Sequence, residues 1–186
     1  RAGLFRRIRG FFDGRGVLEV DTPLIARFGV TDPAIEPLML QGESDAPRFL
    51  QTSPEFAMKR LLAAGSGPIY QLGKAFRDGE VGARHNPEFT LLEWYRPGFA
   101  LEDLMDEVAA LVRECLGDRG GEGAGASARA VEHHSYAELT GEVLGIDAHR
   151  ATESELERAA ARYTDTAGLS LSRDGWLDLL MTHAVE

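Results

Sequence analysis

A second cysteine, an apolar run of membrane-spanning length and enough positive charge to balance the acids are all missing from this 186-residue sequence. Cys115 alone cannot form an internal disulfide, which fits a reducing cytoplasm, and its place on the apolar side of a helical pattern makes it core filler. No apolar stretch approaches the roughly 20 residues a bilayer crossing needs, and no export leader is recognisable, so no membrane partner is expected. Asp and Glu number 30 against 20 Lys and Arg, a net charge of −10. That excludes a general nucleic-acid-binding surface, which would be basic, and leaves room for a local basic pocket. The adjacent His133 and His134 would point two ways from a helix, and His149 has no partner at ligand spacing. All three are read as solvent-facing, and no metal site is expected within these residues. Internal repeats are also missing. The chain opens on Arg1 and closes on Glu186 inside a helical pattern, which reads as truncation at both ends.

What is present is ordinary globular composition, 44% hydrophobic and 27% charged, in a length that suits one domain or part of one. Leu4, Phe5, Ile8, Phe11 and Phe12 recur at three- and four-residue spacing and predict a helix over residues 1–15, stopped by Gly14 and Gly16. A short strand at 17–20 follows and is ended by Asp21-Thr22-Pro23. Residues 28–48 are loop-rich, with an edge strand possible at 35–40 and another short strand at 49–51. Ser53 is placed as an N-cap with Pro54 at the first helical position, opening a helix that runs to Ala64 and stops at Gly65. Residues 101–116 predict an amphipathic helix with Leu104, Val108, Leu111, Val112 and Cys115 on its apolar side and an acidic first turn that suits the dipole. The Gly- and Ala-rich residues 117–128 read as a mobile surface loop, and 135–144, 152–163 and 173–185 as three further helices.

The informative stretch is Phe76-Arg77-Asp78-Gly79-Glu80-Val81-Gly82-Ala83-Arg84-His85-Asn86-Pro87-Glu88-Phe89-Thr90-Leu91-Leu92-Glu93-Trp94-Tyr95. Apolar runs at 68–76 and 88–96 predict two paired strands around a polar, glycine-containing turn. Arginine offers a planar fork of donors for phosphate oxygens, and Phe89 offers a face for a base, so the hairpin suits a nucleotide. An ordinary surface hairpin with scattered charges fits the spacing equally well.

Phe-Arg followed by Arg84-His85-Asn86-Pro87-Glu88-Phe89-Thr90 and Glu93 resembles motif 2 of the class II lysyl-tRNA synthetase family. The run Glu93-Trp94-Tyr95-Arg96-Pro97 is similar to the shortened paralogues of that family that attach (R)-β-lysine to elongation factor P. The helix, glycine and strand of residues 1–23 resemble motif 1, which builds the dimer interface in that family. The resemblance implies an α+β fold, an antiparallel sheet flanked by helices, incomplete on its C-terminal side. It makes residues 1–186 part of one catalytic domain: motif 1 at about 1–23, motif 2 at about 70–97 and a helical insertion at about 129–186. It implies a homodimer, ATP as co-substrate and lysine or (R)-β-lysine as the amino acid. The acceptor is a lysine side chain of elongation factor P or, alternatively, a lysine tRNA. A non-catalytic binding paralogue is the third reading.

Carried over residue by residue, Arg77 is the catalytic arginine that holds the α-phosphate and the substrate carboxylate. Asp78 and Gly79 follow it in the nucleotide site. Arg84 and His85 reach the β- and γ-phosphates, Asn86 reads the adenine edge and Phe89 stacks on the ring. Tyr95 matches the position whose hydroxyl helps bind the far amino group of the amino acid, with Glu93 two residues earlier on the same strand face as a further substrate-binding candidate. Ser53, Pro54 and Glu55 form the opposite wall, where a carboxylate can pair with the α- or β-ammonium. The family's usual Arg-x-Glu is here Arg77-Asp78-Gly79, with Glu80 one step later, so a carboxylate is missing or displaced. Motif 3, with the glutamates that hold Mg²⁺ and the lysine side-chain amine, is expected beyond Glu186. The 186 residues alone are therefore expected not to activate an amino acid efficiently.

Overall fold

The computed structural model describes residues 1–42, 46–83, 85–116 and 131–185. The chain divides into two compact units, Arg1–Arg129 and Ala130–Glu186. The loop expected at 117–128 lies outside the described residues.

The first unit opens with α1, Ala2–Asp13, which buries Ile8, Phe11 and Phe12 as the apolar spacing requires, while Leu4 stays exposed. The chain leaves the helix through two glycines of different character. Gly14 is still right-handed, and Gly16, at φ 65°, makes the reversal that a side chain would resist. That reversal delivers β1, Leu18–Glu19, parallel to the first strand of the hairpin, β5, Ile69–Phe76. Antiparallel to β5 runs β6, Glu88–Tyr95, in unbroken register from Ile69 opposite Tyr95 to Phe76 opposite Glu88. The sheet order is β1-β5-β6. A second small antiparallel sheet places β4, Arg48–Leu50, between β2, Ile25–Ala26, and β3, Met39–Leu40. Of the edge strand expected at 35–40, only its last two residues pair.

Side chains alternate across a strand, so the β5–β6 pair has two distinct faces. Tyr70, Leu72, Leu92 and Trp94 share one face and pack with Ile8, Phe11, Phe12 and Val17. Phe12 is fully buried, stacked on Tyr70 at 4.5 Å and tilted against Trp94 at 5.6 Å. Helix α3, Leu101–Leu116, closes this core through Leu111, Ala110 and Cys115. The apolar side drawn from its sequence is corrected here: Val108 and Val112 are exposed, and Glu107 is buried instead. The aromatic end of the core is tied to the surface by Tyr70, whose hydroxyl donates to Glu19 at 3.0 Å. Burial and that bond push the phenol up to about 12.

Between the sheets, α2 spans Glu55–Ala63 and buries Met58. Pro54, not Ser53, is the N-cap; Ser53 Oγ only accepts a long 3.4 Å bond from the Glu55 amide. The segment therefore starts one residue later than the Ser-Pro signal predicts.

The second unit holds α4 Tyr136–Leu144, α5 Glu153–Ala160, α6 Arg173–Leu180 and a π-helical turn, Met181–Val185. Ser135 and Thr152 close reciprocal capping boxes with Glu138 and Glu155, which is why α4 and α5 begin where they do. Its core gathers Leu144, Leu156, Ala160, Trp176 and Leu180. Among the described residues no helix is long and apolar enough to cross a membrane.

Candidate active site

The face of β5–β6 opposite the aromatic core carries Gln71, Gly73 and Ala75 from β5, and Phe89, Leu91, Glu93 and Tyr95 from β6. Gly73 stands opposite Leu91; a Cβ there would meet the Gln71 amide nitrogen at 3.2 Å. Gln71 is itself buried and accepts a 3.0 Å bond from the Thr22 amide, which ties the chain after β1 to the floor of this face.

At one end of the face, Arg77 continues the ladder past β5 by donating its amide to Pro87 O at 3.0 Å. Its guanidinium is held by three neighbours. Nε donates to Thr52 O at 3.4 Å, Nη1 lies 3.5 Å from Glu80 Oε1, and Cζ sits 5.1 Å from the Phe89 ring centroid. The displaced carboxylate is thus on Arg77. Gly79, at φ 71°, makes the turn that brings Glu80 back, and Asp78 Oδ1 fixes it by accepting from the Gly79 amide at 2.9 Å. Asp78 also donates its amide to Glu36 O at 2.8 Å, so the loop before β3 braces this turn. His85 exchanges backbone bonds with Gly82, and both His85 and Asn86 are exposed. Arg84 lies outside the described residues.

At the other end, Tyr95 donates to Glu93 Oε1 at 2.7 Å. Burial holds the Glu93 carboxyl above its ordinary range; the Tyr95 bond works against that, the Glu55 charge adds to it and Lys59 opposes it. Burial and the Glu93 bond push the Tyr95 phenol strongly up. Glu55 is therefore within electrostatic reach of Glu93 and Tyr95, and it is ion-paired with Lys59 one helical turn along α2. A hydrogen-bonded carboxylate and hydroxyl at a half-buried spot, with a second carboxylate within electrostatic reach, can hold an ammonium. Arg77 and Phe89 at the far end offer a guanidinium and an aromatic face.

The expected residues thus fall into two connected groups, with Thr52 O and the α2 start linking them. A cavity of about 530 Å³ lies beside the second group, between β2, β4 and the start of α2. Ser53 and Glu55 line it together with Arg27, Phe28, Phe56 and Arg60, and its lining takes no described residue of β5 or β6. Pro54 is buried beneath that start. Sequence reasoning missed Thr52 O, Lys59 and the pairing of Glu80 with Arg77. The i,i+4 spacing of Glu55 and Lys59 was the one readable signal for these.

The elongation factor P–(R)-β-lysine ligase of Haemophilus influenzae (strain ATCC 51907 / DSM 11121 / KW20 / Rd) is 42% identical over 191 residues, covering 100% of this chain and 56% of the relative. The ligases of the same name from Yersinia enterocolitica and Mannheimia succiniciproducens are 42% and 40% identical, with the same coverage of both chains. The chain thus spans about half the length of the curated relatives it matches. The family model for class II tRNA synthetases (D, K and N) matches residues 1–167, and the chain belongs to that family.

Proposed function

We propose that the protein carrying this chain is an ATP-dependent ligase that adenylates (R)-β-lysine or lysine and transfers it to a lysine side chain of elongation factor P. The observation that carries this reading is one sheet face with Arg77 and Phe89 at one end and Glu93 and Tyr95, with Glu55 near them, at the other. In this reading the Arg77 end takes the carboxylate and phosphates and the Glu93–Tyr95 end takes an ammonium. The identity to ligases of this name along the whole chain supports the choice of acceptor. So does the net charge of −10, which opposes docking of a tRNA.

In this reading the amino-acid carboxylate attacks the α-phosphorus, a P–O bond forms and pyrophosphate leaves. Arg77 stabilises the charge that builds on the phosphoryl oxygens. Its backbone and aromatic contacts hold it in place before reaction, the condition under which such groups act most strongly. His85 and Arg84 take the outer phosphates, Asn86 the adenine edge, and Phe89 the ring, with Asp78 and Gly79 shaping the turn between them. Glu93, Tyr95 and Glu55 hold the far ammonium, with Ser53 and Pro54 setting the start of α2. The acceptor amine then attacks the activated carbonyl, loses a proton, and AMP leaves. Among the described residues no cluster of three or more His, Cys, Asp or Glu side chains could hold a metal ion. The reading keeps Mg²⁺ as a cofactor of the reaction and expects its ligands beyond Glu186. Residues 129–186 are read as an insertion between motifs 2 and 3, the region of motif 1 as a homodimer interface, and the cytoplasm as the compartment.

The test is amino-acid-dependent exchange of pyrophosphate into ATP by the full natural chain carrying this sequence. Arg77→Ala should reduce exchange at least about 100-fold, the scale for removing one preorganised electrostatic group. Exchange that is independent of lysine and β-lysine, or insensitive to Arg77, contradicts the reading.

A further inference from the structure

Glu107 is the charged side chain that the reading above does not use, and it is among the most buried. It is only 7% exposed, in the middle of α3, at a position where the core asks for an apolar residue. A buried carboxylate is costly unless paired and hydrogen-bonded. Its two oxygens go to two residues of one strand end. Trp94 Nε1 donates to Oε2 at 3.1 Å, and Arg96 Nε lies 3.3 Å from Oε1. The Arg96 contact is one of charge: its N–H does not point along the line to Oε1, and Nε has no hydrogen-bond partner. The guanidinium is steadied from another side by the Phe99 ring, 4.3 Å from Cζ.

Trp94 and Arg96 flank Tyr95. Alternation sends their side chains to the helix side of the sheet and those of Glu93 and Tyr95 to the opposite face. Among the described residues β6 has one neighbouring strand, and its ladder ends at the Ile69–Tyr95 pair. A strand end paired on one side frays readily. Glu107 bridges that weak point from behind.

We propose that Glu107 is a positioning residue of the amino-acid subsite: by gripping Trp94 and Arg96 it fixes the strand end from which Glu93 and Tyr95 face the substrate. This rests on the functional reading above for what the subsite binds. It does not need that reading for the link between α3 and the end of β6. The grip acts on the ammonium end and leaves the Arg77–Phe89 end alone, so its loss separates the two substrates.

The experiment uses the full natural chain with Glu107→Gln, which keeps an oxygen for Trp94 and drops the charge facing Arg96. Trp94→Phe serves as a second variant and Tyr95→Phe as the control. In Glu107→Gln, KM for the amino acid should rise roughly tenfold to hundredfold, the scale of losses from misplacing a group by about an ångström, while KM for ATP stays near wild type. Trp94→Phe should shift the same constant in the same direction, and it reads the link if the Gln variant does not fold. Amide exchange, which needs no substrate, should quicken at residues 93–96 in both. A lowered melting temperature with wild-type KM values and unchanged exchange at 93–96 overturns the proposal and leaves Glu107 as a core filler. If Tyr95→Phe leaves the amino-acid KM unchanged while exchange at 93–96 quickens in Glu107→Gln, the positioning link stands and the substrate reading has failed. If Tyr95→Phe raises KM and Glu107→Gln changes neither KM nor exchange, the link has failed and the substrate reading stands.

Discussion

Replacing Tyr95 by Phe removes one hydroxyl and tests the electrostatics of the proposed ammonium site. That hydroxyl donates to Glu93 at 2.7 Å, in a half-buried setting. A hydrogen bond to a charged group contributes about 1.5–3 kcal/mol, and a carboxylate that loses it becomes harder to ionise. Burial already holds Glu93 above its ordinary 4.5, and the Tyr95 bond is the largest influence pulling it back. In Tyr95→Phe the carboxyl should therefore titrate at still higher pH. An ammonium needs the ionised form, so the acid limb of kcat/KM for the amino acid should move to higher pH. At 1.4 kcal/mol per decade, KM should rise roughly tenfold to hundredfold near neutrality. Stability follows the same sign. A carboxyl raised on folding contributes stability below its unfolded value, near 4.5, and that contribution is lost as pH rises through the folded value. The variant should lose it over a wider window. Pyrophosphate exchange across pH gives the kinetic limb and urea denaturation across pH gives the stability. An unchanged amino-acid KM together with an unmoved acid limb refutes the assignment of Glu93 and Tyr95.

Two further predictions concern the frame. Phe12→Ala removes a fully buried ring from between Tyr70, Trp94 and Phe11, and should cost about 3–5 kcal/mol, read as a fall in the urea midpoint. Gly79→Ala adds a Cβ that meets nothing within 4 Å but imposes a left-handed φ of 71° on a side chain. It should cost about 1–2 kcal/mol and weaken ATP use as Glu80 moves off Arg77. A neutral Gly79→Ala would show that the turn does not need its glycine.

Local signals made much of the first unit readable. The hairpin strands are Ile69–Phe76 and Glu88–Tyr95, within a residue of where the apolar runs on either side of the polar, glycine-containing turn put them. The bounds of α3 also follow from its periodicity. Its buried face does not, because Glu107 is inside only by virtue of Trp94 and Arg96, and a pairing across the fold leaves no mark in a helical period. Val108 and Val112, which the same period assigns to the core, are exposed. In the site, Arg77 and Phe89 were legible as residue types, but their 5.1 Å contact with each other was not. That contact follows from the cross-strand register, which sets Phe89 opposite Ala75, two residues before Arg77 on the same face.

Labelling distinguishes the two acceptors. The full natural chain is given ATP and labelled lysine or (R)-β-lysine, with elongation factor P and lysine tRNA present together, and the label is followed to one or the other. The proposed acceptor predicts label on a lysine of elongation factor P and a tRNA left uncharged. Label on the tRNA with an unmodified factor contradicts it.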